Sequence, residues 1–365
     1  MKNLTYRHCT AGGTHYETGY ELGRQLLADK ALLKDLITPV MGGQPLSESQ
    51  AEINAALFEK YMSGINEEIK GFADAVNIPY TDMVIYSSYI NLQCGCSHFI
   101  ISKDSVPNKE IYHARSYEFH WHESPVLLTT RVNEKKGSTG FGCKIFGRFD
   151  GMNEHGLCVT MSSVDINHTG TIGNGFVFPM AVRAMLDNCS TAYEAREMFI
   201  EMPYAEYRNF LISDKSGDAV LIEASPSSKS YQHINSDEKY NYLCSADHFV
   251  LNQSTEIRPV CHSIVRQNKM TEILSSGKMT ELDDIKAFMA KRYPNGLEFP
   301  YYEDGFGTLW SNIYNPVTLD QYVCYGSPKL GEWNLIDQHK DYSCSKQTIS
   351  LFNENAPEGF DDYLD

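Results

Sequence analysis

The sequence predicts an α+β fold in which antiparallel sheet is faced by helices. Three observations predict it. Helical periodicity dominates the first ninety residues, strand-like segments joined by short turns begin at about residue 95, and two later blocks of helix alternate with strands. No repeat, low-complexity tract or long linker divides the chain, so the only change in composition, at about residue 95, is the expected boundary between two segments.

The segment before residue 95 is predicted to be wholly helical. Thr14 and Glu17 form a capping-box pattern, and leucines follow at helical spacing. A second long helix is predicted from a serine cap near residue 48 to Phe72, and a third over residues 81–91.

After residue 95 the pattern changes to strands, which are predicted over residues 96–102, 110–119, 125–133 and 144–149. Helices over residues 179–187 and 191–200 precede a hairpin of strands 209–213 and 219–223. Two more helices, 258–274 and 282–292, lead to a last pair of strands, 307–315 and 321–325. The acidic tail after Asn353 is expected to be frayed.

Charge and composition exclude several classes of partner. The 47 acidic residues outnumber the 31 lysines and arginines and give a net charge of -16, which repels nucleic acid and anionic membrane surfaces. Neither an export signal nor an apolar run of spanning length is present, so the sequence predicts a soluble cytoplasmic protein. In that setting the ten cysteines are expected to be thiols and not a disulfide framework.

The chemistry-bearing residues lie at the boundary, where Gly95 precedes Cys96. A glycine there allows a strained turn in which the thiol reaches the preceding carbonyl, so the bond between the two residues can be cut by the chain itself. The new α-amine of Cys96, with a pKa of roughly 7.7 to 8.0, can then act as base for its own thiol. Two alternatives stay open: both cysteines pack as small apolar side chains, or Cys94 is the nucleophile, although Gln93 and not glycine precedes it.

Motifs in a consistent order along nearly the whole chain give this site its context. They are residues 13–23 (GTHYETGYELG), 95–97 (GCS), 114–119 (ARSYEF), 153–157 (NEHGL), the hairpin 209–223, 247–249 (DHF), 308–311 (TLWS) and 326–328 (GSP). In this order they resemble the acyl-coenzyme A:6-aminopenicillanic acid acyltransferase family, cysteine N-terminal-nucleophile hydrolases related to bile salt hydrolases and penicillin V acylases. The resemblance implies a four-layer αββα sandwich, with residues 1–95 as a helical propeptide that becomes the small subunit and 96–365 as the catalytic domain.

The resemblance also implies an activity: an autoproteolytic amidohydrolase or acyltransferase that acts on a linear, non-peptide amide C–N bond, or transfers an acyl group through a Cys96 thioester. Its partners would be a small amide or acyl substrate and the two subunits themselves, with no cofactor or metal. Cys96 takes the position of the nucleophile and Gly95 that of the residue before the cut. Whether the subunits also form a homo-oligomer is left open.

Two catalytic positions depart from the family pattern. Glu118 stands where the family usually has aspartate, and it is expected to orient the Cys96 amine. Asp247 stands where asparagine is common, so either it is held protonated or a backbone N–H binds the oxyanion. Arg115 and His248 are the expected substrate-binding residues, although Arg115 is equally suited to an internal acid or a salt bridge that anchors its strand.

Two other functions remain open. Glu118, His120 and His122 alternate, and in a strand they would share a face as a metal site of a metal-dependent hydrolase. Alternatively, the two departures mark a relative that has lost processing and serves as a binding or scaffold module.

Overall fold

The computed structural model describes residues 2–29, 33, 48–88, 94–143, 145–164, 174–234, 241–252 and 259–363. Its helices are α1 His15–Leu27, α2 Glu48–Tyr61, α3 Ile65–Val76, α4 Tyr80–Ser88, α5 Phe178–Asn188, α6 Ala192–Glu201, α7 Cys261–Ser275 and α8 Leu282–Met289. The strands before α5 are β1 Lys2–Gly13, β2 Gly95–Ile101, β3 Tyr112–Phe119, β4 Val126–Val132, β5 Ser138–Cys143, β6 Gly147–Arg148, β7 Asp150–Asn153 and β8 Cys158–Ser163. Those after α6 are β9 Arg208–Ser213, β10 Ala219–Ala224, β11 Lys229–His233, β12 Tyr242–Ser245, β13 Pro300–Tyr301, β14 Phe306–Asn315, β15 Asp320–Tyr325, β16 Trp333–Ile336 and β17 Ser345–Leu351.

The strands form two sheets. The first, sheet 1, has the order β11-β10-β9-β8-β7-β5-β4-β1-β17, with β6 paired to β5. The second, sheet 2, has the order β12-β2-β3-β14-β15-β16, with β13 paired to β14. Among these described pairs only β1 and β4 run parallel, and helices α1 to α4 and strands β2 and β3 lie between them in the chain.

The layers are α, β, β and α. Helices α1 and α5 pack on sheet 1, strand β2 of sheet 2 packs on β8 and β9 of sheet 1, and α7 and α8 cover the other face of sheet 2. Between the sheets, Trp310 stacks on Tyr117 and Phe141 with ring centroids 3.9 and 4.1 Å apart. The predicted αββα sandwich is therefore confirmed.

Helix α1 begins and packs as its sequence motif suggests. The Thr14 hydroxyl accepts a hydrogen bond from the Glu17 backbone N–H, while the Glu17 carboxylate accepts one from the Thr14 N–H, which confirms the capping box. Gly19 lets α1 approach α3, because a Cβ there would lie 1.8 Å from the backbone oxygen of Glu68. The motif glycine thus serves close helix packing.

The prediction that the first ninety residues are wholly helical is wrong, because residues 2–13 form β1. Leu4, Tyr6 and His8 are buried and alternate with more exposed residues, which is a period of two. The strand lies between β4 and β17, whose residues are more than a hundred positions away in the chain. Without those partners in view, the short alternation does not stand out from the helical pattern that follows.

Other boundaries differ for local reasons. The second predicted helix is two helices, α2 and α3, because Gly64 between them has a left-handed φ of 88°. Of the strand predicted over 144–149, only the short β6 at residues 147–148 is present among the described residues, and β5, β16 and β17 lie outside the predicted strands. The tail after Asn353 packs against the rest of the protein up to residue 363, and Phe360 is buried. Residues 89–91, 144 and 258, which belong to predicted elements, lie outside the described residues.

The cysteine prediction needs one correction. Cys9 and Cys344 form a disulfide, since the pairing of His8 with Ser345 brings the two cysteines together across 335 residues of sequence. The other eight cysteines, all within the described residues, form no disulfide. In the part of the chain that the structure describes, no helix combines the length and apolar character that a membrane span requires.

Candidate active site

Cys96 lies at the start of β2, a strand in which every residue is buried. In the register with β3, Cys96 is opposite Tyr117 and Gly95 is opposite Glu118. Because side chains alternate along a strand, those of Cys96 and Arg115 point toward sheet 1, whereas that of Glu118 points toward the α7 layer. The register therefore decides which charged groups reach the thiol.

A buried arginine contacts the Cys96 thiol. Arg115 Nη2 donates to Cys96 Sγ at 3.2 Å, and its Nη1 donates to Asp150 Oδ2 at 2.5 Å. Asp150 also accepts hydrogen bonds from the Phe141 backbone N–H and the Tyr314 hydroxyl. Asp150 is thus the internal acid that was considered as a partner of Arg115. Its ion pair with Arg115 fixes the positive charge of the guanidinium beside the sulfur.

The second thiol, that of Cys94, lies next to the Cys96 thiol. Its Sγ is 3.8 Å from Cys96 Sγ and 3.3 Å from the hydroxyl of Ser163. Both sulfurs are buried, and Cys94 lies two residues before Cys96 in the chain. Proximity alone therefore does not distinguish the two cysteines, but Cys96 is the one that contacts Arg115.

The backbone of Cys96 is held by a carboxylate and a guanidinium. Its N–H donates to Asp247 Oδ1 at 3.0 Å and Oδ2 at 3.3 Å. Arg266 pairs with Asp247, and its Nη1 donates to the Cys96 carbonyl oxygen at 2.5 Å. Asp247 therefore acts as an acceptor for two donors, the geometry expected of an ionised carboxylate.

Glu118 does not make the contact that was predicted for it. The Ser116 hydroxyl donates to Glu118 Oε1, and Oε2 has no hydrogen-bond partner among the described residues. Burial raises the pKa of Glu118 well above its usual range, although the charge of Arg266 opposes this. Asp247 is the carboxylate at the Cys96 nitrogen, because strand alternation turns Glu118 to the opposite face.

His248 follows Asp247 in the chain, and both residues contact Ser263 of helix α7. Its Nδ1 lies 2.7 Å from the Ser263 hydroxyl, which also accepts a hydrogen bond from the Asp247 N–H. Burial, with a contribution from Arg266, lowers the pKa of His248 to about 4. A neutral His248 thus helps to fix Asp247, and its role in substrate binding stays a prediction.

A small cavity of about 120 Å³ opens beside the proposed cut. It is lined by Cys94, Gly95, Ser163, Asp247, Val260, His262, Gly305 and Phe306. A Cβ at Gly95 would lie 2.1 Å from Phe306 Cζ, and Gly95 is an ordinary strand residue with no positive φ. The glycine is therefore needed for the approach of the Phe306 ring and not for the strained turn that was expected.

Electrostatics keep the thiol neutral while the chain is intact. Burial raises the pKa of Cys96 well above its ordinary value, and the contact with Cys94 and the charge of Asp247 act in the same direction. Arg115 opposes the shift but does not outweigh it. Activation thus requires a base near the sulfur.

The alternation on which the metal hypothesis rested does not exist. Strand β3 ends at Phe119, and the chain turns at Trp121 and His122, whose rings lie 3.6 Å apart. Glu118 is buried within β3, whereas His120 and His122 lie beyond the last residue of that strand. Within the described ranges, no group of three or more His, Cys, Asp or Glu residues is arranged to hold a metal ion.

Sequence reasoning missed Arg266, Asp150 and His262. The signal available for two of them was the spacing of His262 and Arg266, four residues apart in a predicted helix and hence on one face. Asp150 gave no local signal, since its partner Arg115 lies on a strand of the other sheet.

Comparisons with known proteins give one family match. A family model described as acyl-coenzyme A:6-aminopenicillanic acid acyl-transferase matches residues 127–330, more than half of the chain. A search of curated proteins found no match.

Among solved structures, an N-acylethanolamine-hydrolyzing acid amidase ortholog from Caenorhabditis elegans is 12% identical, with a TM-score of 0.44 over 70% of this chain and 100% of its own. Penicillin V acylase from Agrobacterium tumefaciens is 14% identical, with a TM-score of 0.39 over 72% and 100%. A variant of conjugated bile acid hydrolase from Clostridium perfringens is 14% identical, with a TM-score of 0.41 over 72% and 99%.

Proposed function

Because this chain belongs to the acyl-coenzyme A:6-aminopenicillanic acid acyl-transferase family, we propose that it is a cysteine N-terminal-nucleophile enzyme that cuts its own Gly95–Cys96 bond. The mature enzyme would hydrolyse a linear, non-peptide amide of a small molecule, or pass its acyl group through a Cys96 thioester to an acceptor amine. Residues 1–95 and 96–365 would be its small and large subunits, and a cytoplasmic location is part of the same proposal.

The observation that carries the proposal is the pair of charges around Cys96. Asp247 accepts from its nitrogen at 3.0 Å, and Arg115 donates to its sulfur at 3.2 Å. Once that nitrogen is a free amine, the carboxylate favours its protonated form and the guanidinium favours the thiolate. The two side chains together support proton transfer from the sulfur to the nitrogen of one residue, which is what an N-terminal nucleophile needs.

Self-cleavage would begin with addition of Cys96 Sγ to the Gly95 carbonyl carbon. The C–N bond then breaks, its electron pair goes to the Cys96 nitrogen, and the proton lost by the thiol ends on that nitrogen. Water attacks the resulting thioester, which releases the Gly95 carboxylate and restores the thiol. Arg266 supports this sequence because it holds the Cys96 carbonyl oxygen and Asp247 in place throughout.

On a substrate the same atoms would act again. The thiolate attacks the amide carbonyl carbon, and the Cys96 ammonium gives its proton to the leaving amine, which leaves a thioester. Water or a second amine then takes the acyl group. Asp247 would keep the amine in position in both half-reactions, and Arg115 would stabilise the sulfur anion each time it forms.

The test is intact-mass spectrometry of the purified protein under denaturing, reducing conditions, beside Cys96→Ala and Cys94→Ala variants. Reductant is required because Cys9 and Cys344 join the two segments. We expect two fragments that meet between residues 95 and 96 and sum to the 41.3 kDa chain plus one water. Cys94→Ala should still be cut, and Cys96→Ala should remain whole.

Two outcomes would contradict the proposal. An uncut wild-type chain with no thiol-dependent turnover of amides would favour the binding or scaffold alternative. Loss of cleavage only in Cys94→Ala would move the nucleophile to Cys94.

A further inference from the structure

The C-terminal segment, residues 353–363, packs on the helix that carries Arg266. The backbone N–H of Cys261, the first residue of α7, donates to the Asp362 carbonyl oxygen at 2.8 Å. Val260 and Tyr363 form an antiparallel bridge beside it. The segment is thus attached at the end of α7 that faces the cavity next to Cys96, although the proposed mechanism does not use it.

Phe360 packs the C-terminal segment against His262, which lines the cavity next to Cys96. Its side chain is 4% exposed, and its ring stacks on the His262 imidazole with centroids 4.6 Å apart and planes 21° apart. Phe306, the ring that covers Gly95, lies on the same imidazole at 4.4 Å. The rings of Phe306 and Phe360 are also 5.2 Å apart, so His262 packs in one cluster with two aromatic rings, one of them from the C-terminal segment.

The contact between His262 and Arg266 has only one possible direction. Arg266 Nη2 lies 2.9 Å from His262 Nδ1, and a guanidinium can only donate, so Nδ1 must accept. The imidazole proton then sits on Nε2, which faces Asp361 Oδ1 at 3.6 Å. The burial that lowers the pKa of His262 to about 2 also keeps the ring neutral, as this contact requires.

We propose that Phe360 and His262 are positioning residues of the thiol site. Phe360 holds the imidazole, and the imidazole holds Arg266 against the Cys96 carbonyl oxygen and Asp247. Neither residue touches the reacting atoms of Cys96 in this scheme. This inference rests on the proposed function, because it assigns a part of the same site to the end of the chain.

Two variants of His262 separate positioning from packing. In His262→Asn the side-chain oxygen can replace Nδ1 as the acceptor for Arg266, whereas His262→Leu keeps an apolar volume and removes the acceptor. We expect self-cleavage within about threefold of wild type for Asn and roughly 10- to 100-fold slower for Leu, since small misplacements of reacting groups cost this much. If Leu is tolerated and Asn is not, His262 only fills space and the proposal is wrong.

Phe360→Ala tests the C-terminal segment, with Phe352→Ala as its matched control because Phe352 is 53% exposed. The Phe360 variant should slow cleavage about as much as His262→Leu, and the Phe352 variant should leave the rate unchanged. Equal rates for the two alanine variants would overturn the role of the segment.

A second readout does not depend on cleavage. Nitrogen-15 NMR of the imidazoles, with His262 assigned from the signal missing in His262→Asn, should show a neutral ring with the proton on Nε2. In Phe360→Ala we expect a mixture of tautomers and titration nearer to the ordinary pKa. An unchanged His262 signal in that variant would contradict the inference, whereas an uncut wild-type chain with the expected NMR change would contradict only the proposed function.

Discussion

Alternation along β3 separates two charged residues that lie three positions apart. Arg115 reaches the Cys96 thiol from the face between the sheets, and Glu118 lies on the face toward α7. One guanidinium therefore sets the charge beside the sulfur, while burial raises the pKa of the Glu118 carboxyl on the other side. The presence of glutamate at position 118, where the family usually has aspartate, consequently affects the α7 side of β3 more than the surroundings of the thiol.

At the residue scale, Gly95→Ala should destabilise the protein and slow self-cleavage. The new Cβ would lie 2.1 Å from Phe306 Cζ, so the ring or the strand must move. Such overpacking costs typically about 1 to 3 kcal/mol of unfolding free energy. Urea unfolding in a Cys96→Ala background measures the stability, and the rate at which fragments form measures cleavage in the native background.

Gly137→Ala is the control for this prediction, because the nearest atom to its Cβ would be 3.6 Å away. We expect a change within about 0.5 kcal/mol there. Adding Phe306→Leu to Gly95→Ala should restore part of the stability, and no recovery would mean that the ring is not the cause.

At the scale of elements, β1 and α3 join the N-terminal segment to the rest of the fold. β1 pairs with β4 on one side and β17 on the other. α3 carries Glu68, whose two oxygens accept from Arg183 of α5 at 3.2 and 3.1 Å, with both side chains fully buried. The segment that would become the small subunit is thus part of the sheet and of the core.

The Glu68 pair gives this attachment a pH dependence. Burial raises the pKa of Glu68, but the charge of Arg183 and its hydrogen bonds outweigh burial, and the net shift is downward from 4.5. A carboxyl with a lowered pKa in the folded state stabilises the fold above its unfolded pKa. That stability is lost as the pH falls below about 4.5 toward the folded pKa.

Glu68→Gln should therefore be less stable at neutral pH by about 3 kcal/mol, the lower end for breaking a buried pair, since the amide oxygen still accepts from Arg183. The difference from wild type should shrink as the pH falls below about 4.5, where wild-type Glu68 becomes protonated as well. Urea unfolding from pH 3 to 7 in a Cys96→Ala background measures both effects.

Glu67→Gln, an exposed neighbour on the same helix, should change stability by less than about 0.5 kcal/mol at every pH. A Glu68 variant whose deficit does not depend on pH would show that the ion pair is not the source of the effect.

At the scale of the whole molecule, the proposed cut would divide the sequence without dividing the fold. We expect the cut protein to elute from gel filtration as one species, because β1 lies inside sheet 1. Without reductant, denaturing mass spectrometry should give one species of 41.3 kDa plus one water, since Cys9 and Cys344 join the segments. With reductant it should give two.

Cys344→Ser is the control, because it should yield two fragments under denaturing conditions even without reductant while still eluting as one species in native buffer. Separation of the fragments in native buffer would contradict the structural role given to β1.

Local features could be predicted from the order of the amino acids. The Thr14 capping box, the hairpin of β9 and β10 and the start of β2 near Cys96 all depend on residues close together in the chain. Propensity and periodicity report such contacts directly. The order of the motifs likewise indicated the family and its layers.

Contacts between distant parts of the chain fix β1, the Cys9–Cys344 disulfide and the surroundings of Cys96. Asp247, Arg266 and Asp150 lie 151, 170 and 54 positions from Cys96, and the packing of the turn after β12, of α7 and of β7 brings them to it or to Arg115. Which face a side chain occupies depends on pairing with distant strands, and a shift of one residue would reverse it. Sequence patterns carry no record of that pairing, so the assignment of carboxylate and guanidinium to nitrogen and sulfur followed from the fold.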